Sequence, residues 1–194
     1  MSKVEGSTVI DLQNGLAAGV MGGGMASGNT SAIAEDGSAK DAAGARVEVA
    51  NINISGGVIG EEKAGMQGNI YGGGIASTGG TTWVGTSNIT VAGGTINGDI
   101  YGGGLSIGGN YGVGHECYND ALSAVDTANV TLGAGTLNGS VYLGGRVLED
   151  GANNKGVARQ RLAPVRSQST RTSSSSLATP SSTVPALNRQ RSTS

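Results

Sequence analysis

The sequence predicts an all-β chain: a parallel β-helix, or β-solenoid, of about four irregular rungs, followed by a disordered C-terminal tail. Three observations predict it. A strand–corner–strand phrase recurs along the chain. Glycine makes up 37 of the 194 residues, with no Phe and only 3% aromatics, a composition suited to a narrow stack rather than a thick layered core. No long segment carries the 3.6-residue period of an amphipathic helix. Residues 1–150 then form the solenoid repeat domain and residues 151–194 a Ser/Thr/Arg-rich tail.

The clearest copy begins Asn88-Ile89-Thr90-Val91, turns at Gly93-Gly94, and continues Thr95-Ile96-Asn97-Gly98-Asp99-Ile100-Tyr101-Gly102-Gly103-Gly104. Ile89 and Val91 point one way and Asn88 and Thr90 the other, as in a strand. Thr95 to Tyr101 reads as a second strand with Ile96 and Ile100 on one face. The next copy runs from Asn129-Val130-Thr131-Leu132 to Val141-Tyr142-Leu143-Gly144-Gly145. The preceding one runs from Asn51-Ile52-Asn53-Ile54 to Ile70-Tyr71-Gly72-Gly73-Gly74, with an insert at Gly60–Gly65 read as a surface bulge. The first copy is the most degenerate: Val9 to Leu12 gives the strand, Gly15-Leu16 the corner, and Met21 takes the Tyr position.

One such unit cannot bury its own apolar side chains. Stacked on a neighbour at about 4.8 Å, it can. Ile89 then sits over Val130 and Ile100 over Val141. Tyr71, Tyr101 and Tyr142 form one ladder and Asn51, Asn88 and Asn129 another, with amides bonding up the stack. The glycine runs supply corners with positive φ and room for a thin cross-section. Asn51 to Asn88 spans 37 residues and Asn88 to Asn129 spans 41, so part of each period is elastic. The elastic parts, Ala26–Ala45, Ala76–Ser87 and Ser106–Ala128, read as loops or a third, weaker strand.

Charge divides the chain. All 14 acidic residues precede residue 151. Six basic residues accompany them in residues 1–156, leaving that body at −8, while six arginines beyond it put the tail at +6. An acidic body is a poor partner for nucleic acid. The tail, with Ser173-Ser174-Ser175-Ser176 at its centre, has no acid and no aromatic residue and is expected to be disordered. Met1 to Thr8 lacks the basic start and apolar run of a signal peptide, and no stretch of about 18 apolar residues occurs. The first strand starts almost at once, without a polar cap. Uncapped ends permit end-to-end self-association and favour reading the chain as a piece of something longer.

The phrase Gly-Gly-Thr-Ile-Asn-Gly-Asp-Ile-Tyr-Gly-Gly-Gly, with Asn-Ile-Thr-Val before it, resembles the glycine-rich β-helical passenger repeats of bacterial autotransporter-like surface proteins and adhesins. The resemblance covers about residues 8 to 148. It implies display outside the cell, a C-terminal β-barrel anchor in the outer membrane and a leading signal sequence. On that basis the expected role is non-enzymatic: a stalk or adhesive scaffold whose loops contact host or cell-surface glycans and proteins.

Other motifs are weighed against plainer readings. Gly104-Leu105-Ser106-Ile107-Gly108 matches the G-x-S-x-G of serine hydrolases, with His115 and Asp120 downstream. That elbow needs a helix after the serine, and none is expected here. His115 and Cys117 are the only His and Cys, too few for a zinc site, and a lone Cys makes no internal disulfide. The N-x-S/T triplets at Asn29, Asn53, Asn88, Asn129 and Asn138 are explained by strand propensity. The strongest enzyme alternative is a polysaccharide-active β-helix (a lyase or hydrolase) using paired carboxylates from Asp99, Glu116, Asp120 and Asp126. Asp99 is replaced by Asn69 and Ser140 in its sister copies, which reads as a tolerant outward position. A purely structural repeat is the third reading. No catalytic, cofactor-binding or metal-binding residue is assigned, and no cofactor is expected.

Overall fold

A computed structural model describes residues 2–27, 44–61, 68–77, 80–108, 121–149, 158–162 and 166–169. Four strands come from each of four repeats. The first repeat gives β1 (Ser2–Leu12), β2 (Leu16–Ala17), β3 (Val20–Met21) and β4 (Met25–Ser27). The second gives β5 (Ala45–Ile54), β6 (Val58–Ile59), β7 (Ile70–Tyr71) and β8 (Ile75–Ser77). The third gives β9 (Thr81–Val91), β10 (Thr95–Ile96), β11 (Ile100–Tyr101) and β12 (Leu105–Gly108). The fourth gives β13 (Ala121–Leu132), β14 (Thr136–Leu137), β15 (Val141–Tyr142) and β16 (Arg146–Glu149). No helix occurs among the described residues.

Equivalent strands pair in parallel and in repeat order. The four sheets run β1-β5-β9-β13, β2-β6-β10-β14, β3-β7-β11-β15 and β4-β8-β12-β16. The all-β, parallel part of the expectation is therefore met, in an arrangement consistent with a β-solenoid. Asn51, Asn88 and Asn129 are register partners, as are Tyr71, Tyr101 and Tyr142.

The aliphatic core is four columns deep. Ile10, Ile52, Ile89 and Val130 form one, and Leu12, Ile54, Val91 and Leu132 the next. Ala17, Ile59, Ile96 and Leu137 come from the second sheet, and Val20, Ile70, Ile100 and Val141 from the third. Isoleucine fills all eight positions of the two middle repeats except Val91. β-Branched side chains suit this geometry, because each stacks on its own kind one strand away.

Two expectations about local structure are corrected. Thr95 to Tyr101 is not one strand. It is two, in different sheets, with Asn97-Gly98-Asp99 stepping between them, and both Ile96 and Ile100 still reach the core. The elastic segments are not wholly loop or weak strand either. Residues 81–87 and 121–128 belong to the long strands β9 and β13, and Ala45 opens β5. Within those strands the buried positions step by three, from Val47 to Ala50, Val84 to Ser87 and Val125 to Ala128, so the long strands turn one shared corner there.

The glycines serve two purposes. Gly15, Gly57, Gly94 and Gly135, at the turn into the second sheet, have φ between 80° and 140°. The triplets do not: none of Gly22–Gly24, Gly72–Gly74 or Gly102–Gly104 has positive φ. Their reason is contact. A Cβ on Gly73 would lie 2.7 Å from the Gly104 nitrogen and 2.8 Å from Val125 Cγ2, and one on Gly23 would lie 2.9 Å from Val84 Cγ2. The triplets thus lie flat on the long strand opposite and bond to one another through the backbone, Gly23 to Gly73 at 3.0 Å and Gly73 to Gly103 at 3.1 Å.

Beyond residue 150 two stretches are described, both as strands: β17 (Ala158–Leu162) and β18 (Arg166–Ser169), each paired in parallel with β13. The rest of the stretch expected to be a disordered tail lies outside the described residues, as do Glu62 to Gln67 of the insert.

Candidate functional surfaces

The outer side of the third sheet carries the densest polar network. Tyr71, Tyr101 and Tyr142 stack with centroids 5.1 and 5.0 Å apart and planes 11° and 12° from parallel, so the tyrosine ladder forms as expected. Asn69, Asp99 and Ser140 stand beside it. The Asp99 backbone N–H donates to Asn69 Oδ1 (2.9 Å), and the Ser140 N–H donates to Asp99 Oδ1 (2.8 Å). Tyr101 donates its hydroxyl to Asp99 Oδ2 at 3.1 Å, and Asn69 Nδ2 donates to the Tyr71 hydroxyl at 3.2 Å.

Asp99 does face outward, but its side chain is engaged there rather than idle. Asn and Asp recur there because each offers an oxygen to the next copy's N–H. Burial, reinforced by the bond to Asp99, pushes the Tyr101 hydroxyl up to about 12. Hydrogen bonding to Tyr71 raises the Arg146 guanidinium above its ordinary value, against the opposing effect of burial.

A cleft of about 390 Å³ opens at the first repeat, where Met21 stands in register with Tyr71. Val20, Met21, Asn69, Tyr71 and Ile75 are among its lining. Both ends of the Asn69 amide already have partners, and most of the remaining lining is apolar.

The first sheet carries a second cluster on its outer side. The Arg46 guanidinium lies 5.4 Å from the Trp83 ring centroid and pairs with Glu48 at 2.8 Å. Trp83 donates its indole N–H to Asp126 Oδ2 across 3.1 Å, and its ring lies against Gly85, where a Cβ would meet it at 2.8 Å. With Leu122 and Ala124 it forms a small buried group. Sequence reasoning missed this cluster. The only signal for it was that Arg46, Trp83 and Ala124 hold the same place in successive repeats.

The amide ladder is present. Asn88 donates to Asn51 and Asn129 to Asn88, each at 2.9 Å. A second one runs from Asn138 to Asn97 (2.8 Å) and from Asn97 to the Gly60 carbonyl (2.7 Å).

Of the enzyme-like candidates, Ser106 sits inside β12 and is fully buried. Its Oγ accepts the Ser123 N–H at 2.9 Å, so it is not a presented nucleophile. Ser123 in turn donates to the Gly74 carbonyl and receives the Thr82 hydroxyl. Asp99 lies in the step between the second and third sheets and Asp126 on the first, each already holding a hydrogen-bond donor. His115, Glu116, Cys117 and Asp120 lie outside the described residues. Among the described residues no group of three or more His, Cys, Asp or Glu side chains gathers to hold a metal ion, and no helix is long and apolar enough to cross a membrane.

No protein-family model matches the chain, and neither a curated protein nor a solved structure matches it.

Proposed function

We propose that the four-sheet stack is a β-solenoid rod, a passenger segment of a bacterial surface protein, serving without catalysis as a stalk or adhesive scaffold in attachment to cells or host surfaces. The observation that carries this reading is where the polar chemistry goes. Asn51, Asn88, Asn97, Asp99 and Ser106 all bond to the neighbouring copy or the long strand, and so serve stacking rather than a substrate.

Topology supports the adhesive part. The chain passes from the fourth sheet to the first three times, after β4, β8 and β12. In this reading the segments between those strands make the contacts with glycans or proteins on another surface. The carboxylate-enzyme alternative is weakened by the engagement of both Asp99 oxygens.

Fractionation of the native cells with surface protease treatment tests the location. A protease-sensitive surface band is expected, and a protected cytosolic band defeats the reading. Deleting residues 28–43 or 109–120 is expected to abolish attachment to target cells while leaving the stack folded. Unchanged attachment leaves only a spacer role. Glycan turnover that is lost in Asp99→Ala or Asp126→Ala establishes the enzyme instead.

A further inference from the structure

We propose that β17 and β18 are an end cap that keeps the last repeat from receiving a second copy of this chain. The inference is independent of the attachment role. β17 pairs with Ala121–Val125 and β18 with Asn129–Leu132, so between them they cover both halves of the outer edge of β13. The other three sheets stop at β14, β15 and β16.

An open parallel edge is a template for another strand. Both ends of this stack show such edges, and they run in the same sense. Among the described residues, the exposed large apolar side chains gather on the end strands. Val9, Leu16 and Met25 lie on the first repeat, Tyr142, Val147 and Leu148 on the last, and Val58 alone lies between. The first edge of one copy is thus shaped to continue the last edge of another. Such a head-to-tail contact does not close and grows into a filament.

The cap interferes by register. With β17 and β18 in place, the first sheet extends one strand position beyond the other three. An incoming copy cannot set its β1 on the first sheet while its β2, β3 and β4 meet β14, β15 and β16. Charge favours the docked cap. Residues 158–169 carry Arg159, Arg161 and Arg166 and no acid, against a body at −8.

The test uses the full chain with Arg159→Pro, Gln160→Pro, Ser167→Pro and Gln168→Pro. In a parallel ladder alternate residues direct their N–H to a given neighbour, so each adjacent pair includes one donor aimed at β13, and proline removes it. Sedimentation velocity is expected to show the parent unchanged in size as concentration rises and the proline variant growing into long assemblies. Adding Leu16→Lys and Met25→Lys at the opposite end is expected to return the variant to the parent's size. A proline variant that sediments like the parent overturns the proposal. So does a parent that assembles equally, or assembly that ignores the lysines. Hydrogen exchange on the unmodified chain gives a second reading that needs no variant. Edge-facing amides of β13 are expected to be protected many-fold over free amides, and their immediate exchange also overturns the cap.

Discussion

Asn88 donates its side-chain amide to Asn51 across 2.9 Å and accepts the same bond from Asn129 at the same distance. The middle residue gives and receives, whereas among the described side chains of this column Asn51 receives and Asn129 gives. Asn88→Ala leaves an acceptor and a donor without each other and is expected to cost about 2 kcal/mol, roughly twice the cost of Asn51→Ala. Urea unfolding of both variants measures the difference.

Ser87 is expected to be better replaced by alanine. Its hydroxyl is buried without a hydrogen-bond partner, in a column whose neighbours above and below are Ala50 and Ala128. Removing an unsatisfied buried hydroxyl at a place already shaped for alanine should raise stability by about 1 kcal/mol. A higher Tm for Ser87→Ala confirms it, and a lower Tm shows that the hydroxyl does have a partner.

Two glycine substitutions separate the two reasons for glycine. Gly15 has positive φ with open space where a Cβ would stand, so Gly15→Ala carries only the conformational cost, about 1 kcal/mol. Gly73→Ala drives a methyl into the Gly104 backbone and Val125, neither of which can yield, and should cost more than ~3 kcal/mol. Expression yield and denaturation midpoint rank the pair.

Met21→Tyr is expected to lengthen the tyrosine stack. Met21 is in register with Tyr71 and lines the cleft, so a ring there has both room and a face to pack on. A gain of about 1 kcal/mol is expected from the added aromatic contact. Thermal unfolding checks it.

Tyr101 adds a pH dependence at the alkaline end. Its hydroxyl is raised to about 12 in the folded chain, against an ordinary value of 10.0. The unfolded chain loses the proton first, so the stabilisation is complete below about pH 10 and disappears as pH rises toward 12. Tyr101→Phe should flatten the fall in stability over that interval, which denaturation at stepped pH resolves.

Much of the fold could be read before any coordinates, because an in-register stack writes its contacts as repetition. Asn51, Asn88 and Asn129 align in the chain for the same reason that they bond in space, and so do the three tyrosines. The division of Thr95 to Tyr101 into two strands was hidden. Ile96 and Ile100 are an even number apart, so alternation holds across the step at Asn97-Gly98-Asp99. The long strands were underestimated at their N-terminal halves because burial there is two-sided. Trp83, Leu122 and Ala124 are buried opposite Val84 and Val125, and the phase then slips by one at the shared corner. The candidate surfaces were legible only in part. Asp99 could be seen as a repeat position, but its bond to the next copy's backbone has no signature in residue type alone.

The paired amides of Asn88 bear on how such a chain can change length. A residue that offers the same donor upward and the same acceptor downward makes every interior repeat interchangeable with its neighbours. Duplicating residues 81–120 would insert a strand into each of the four sheets and continue the Asn88 amide column, the added Asn giving and receiving as Asn88 does. At the seam the first Trp83 would face Gly85 of the added copy instead of Asp126, so each added copy gives up one indole hydrogen bond while keeping its amide pair. The length of the stack would then follow copy number while the four-sheet arrangement stays the same.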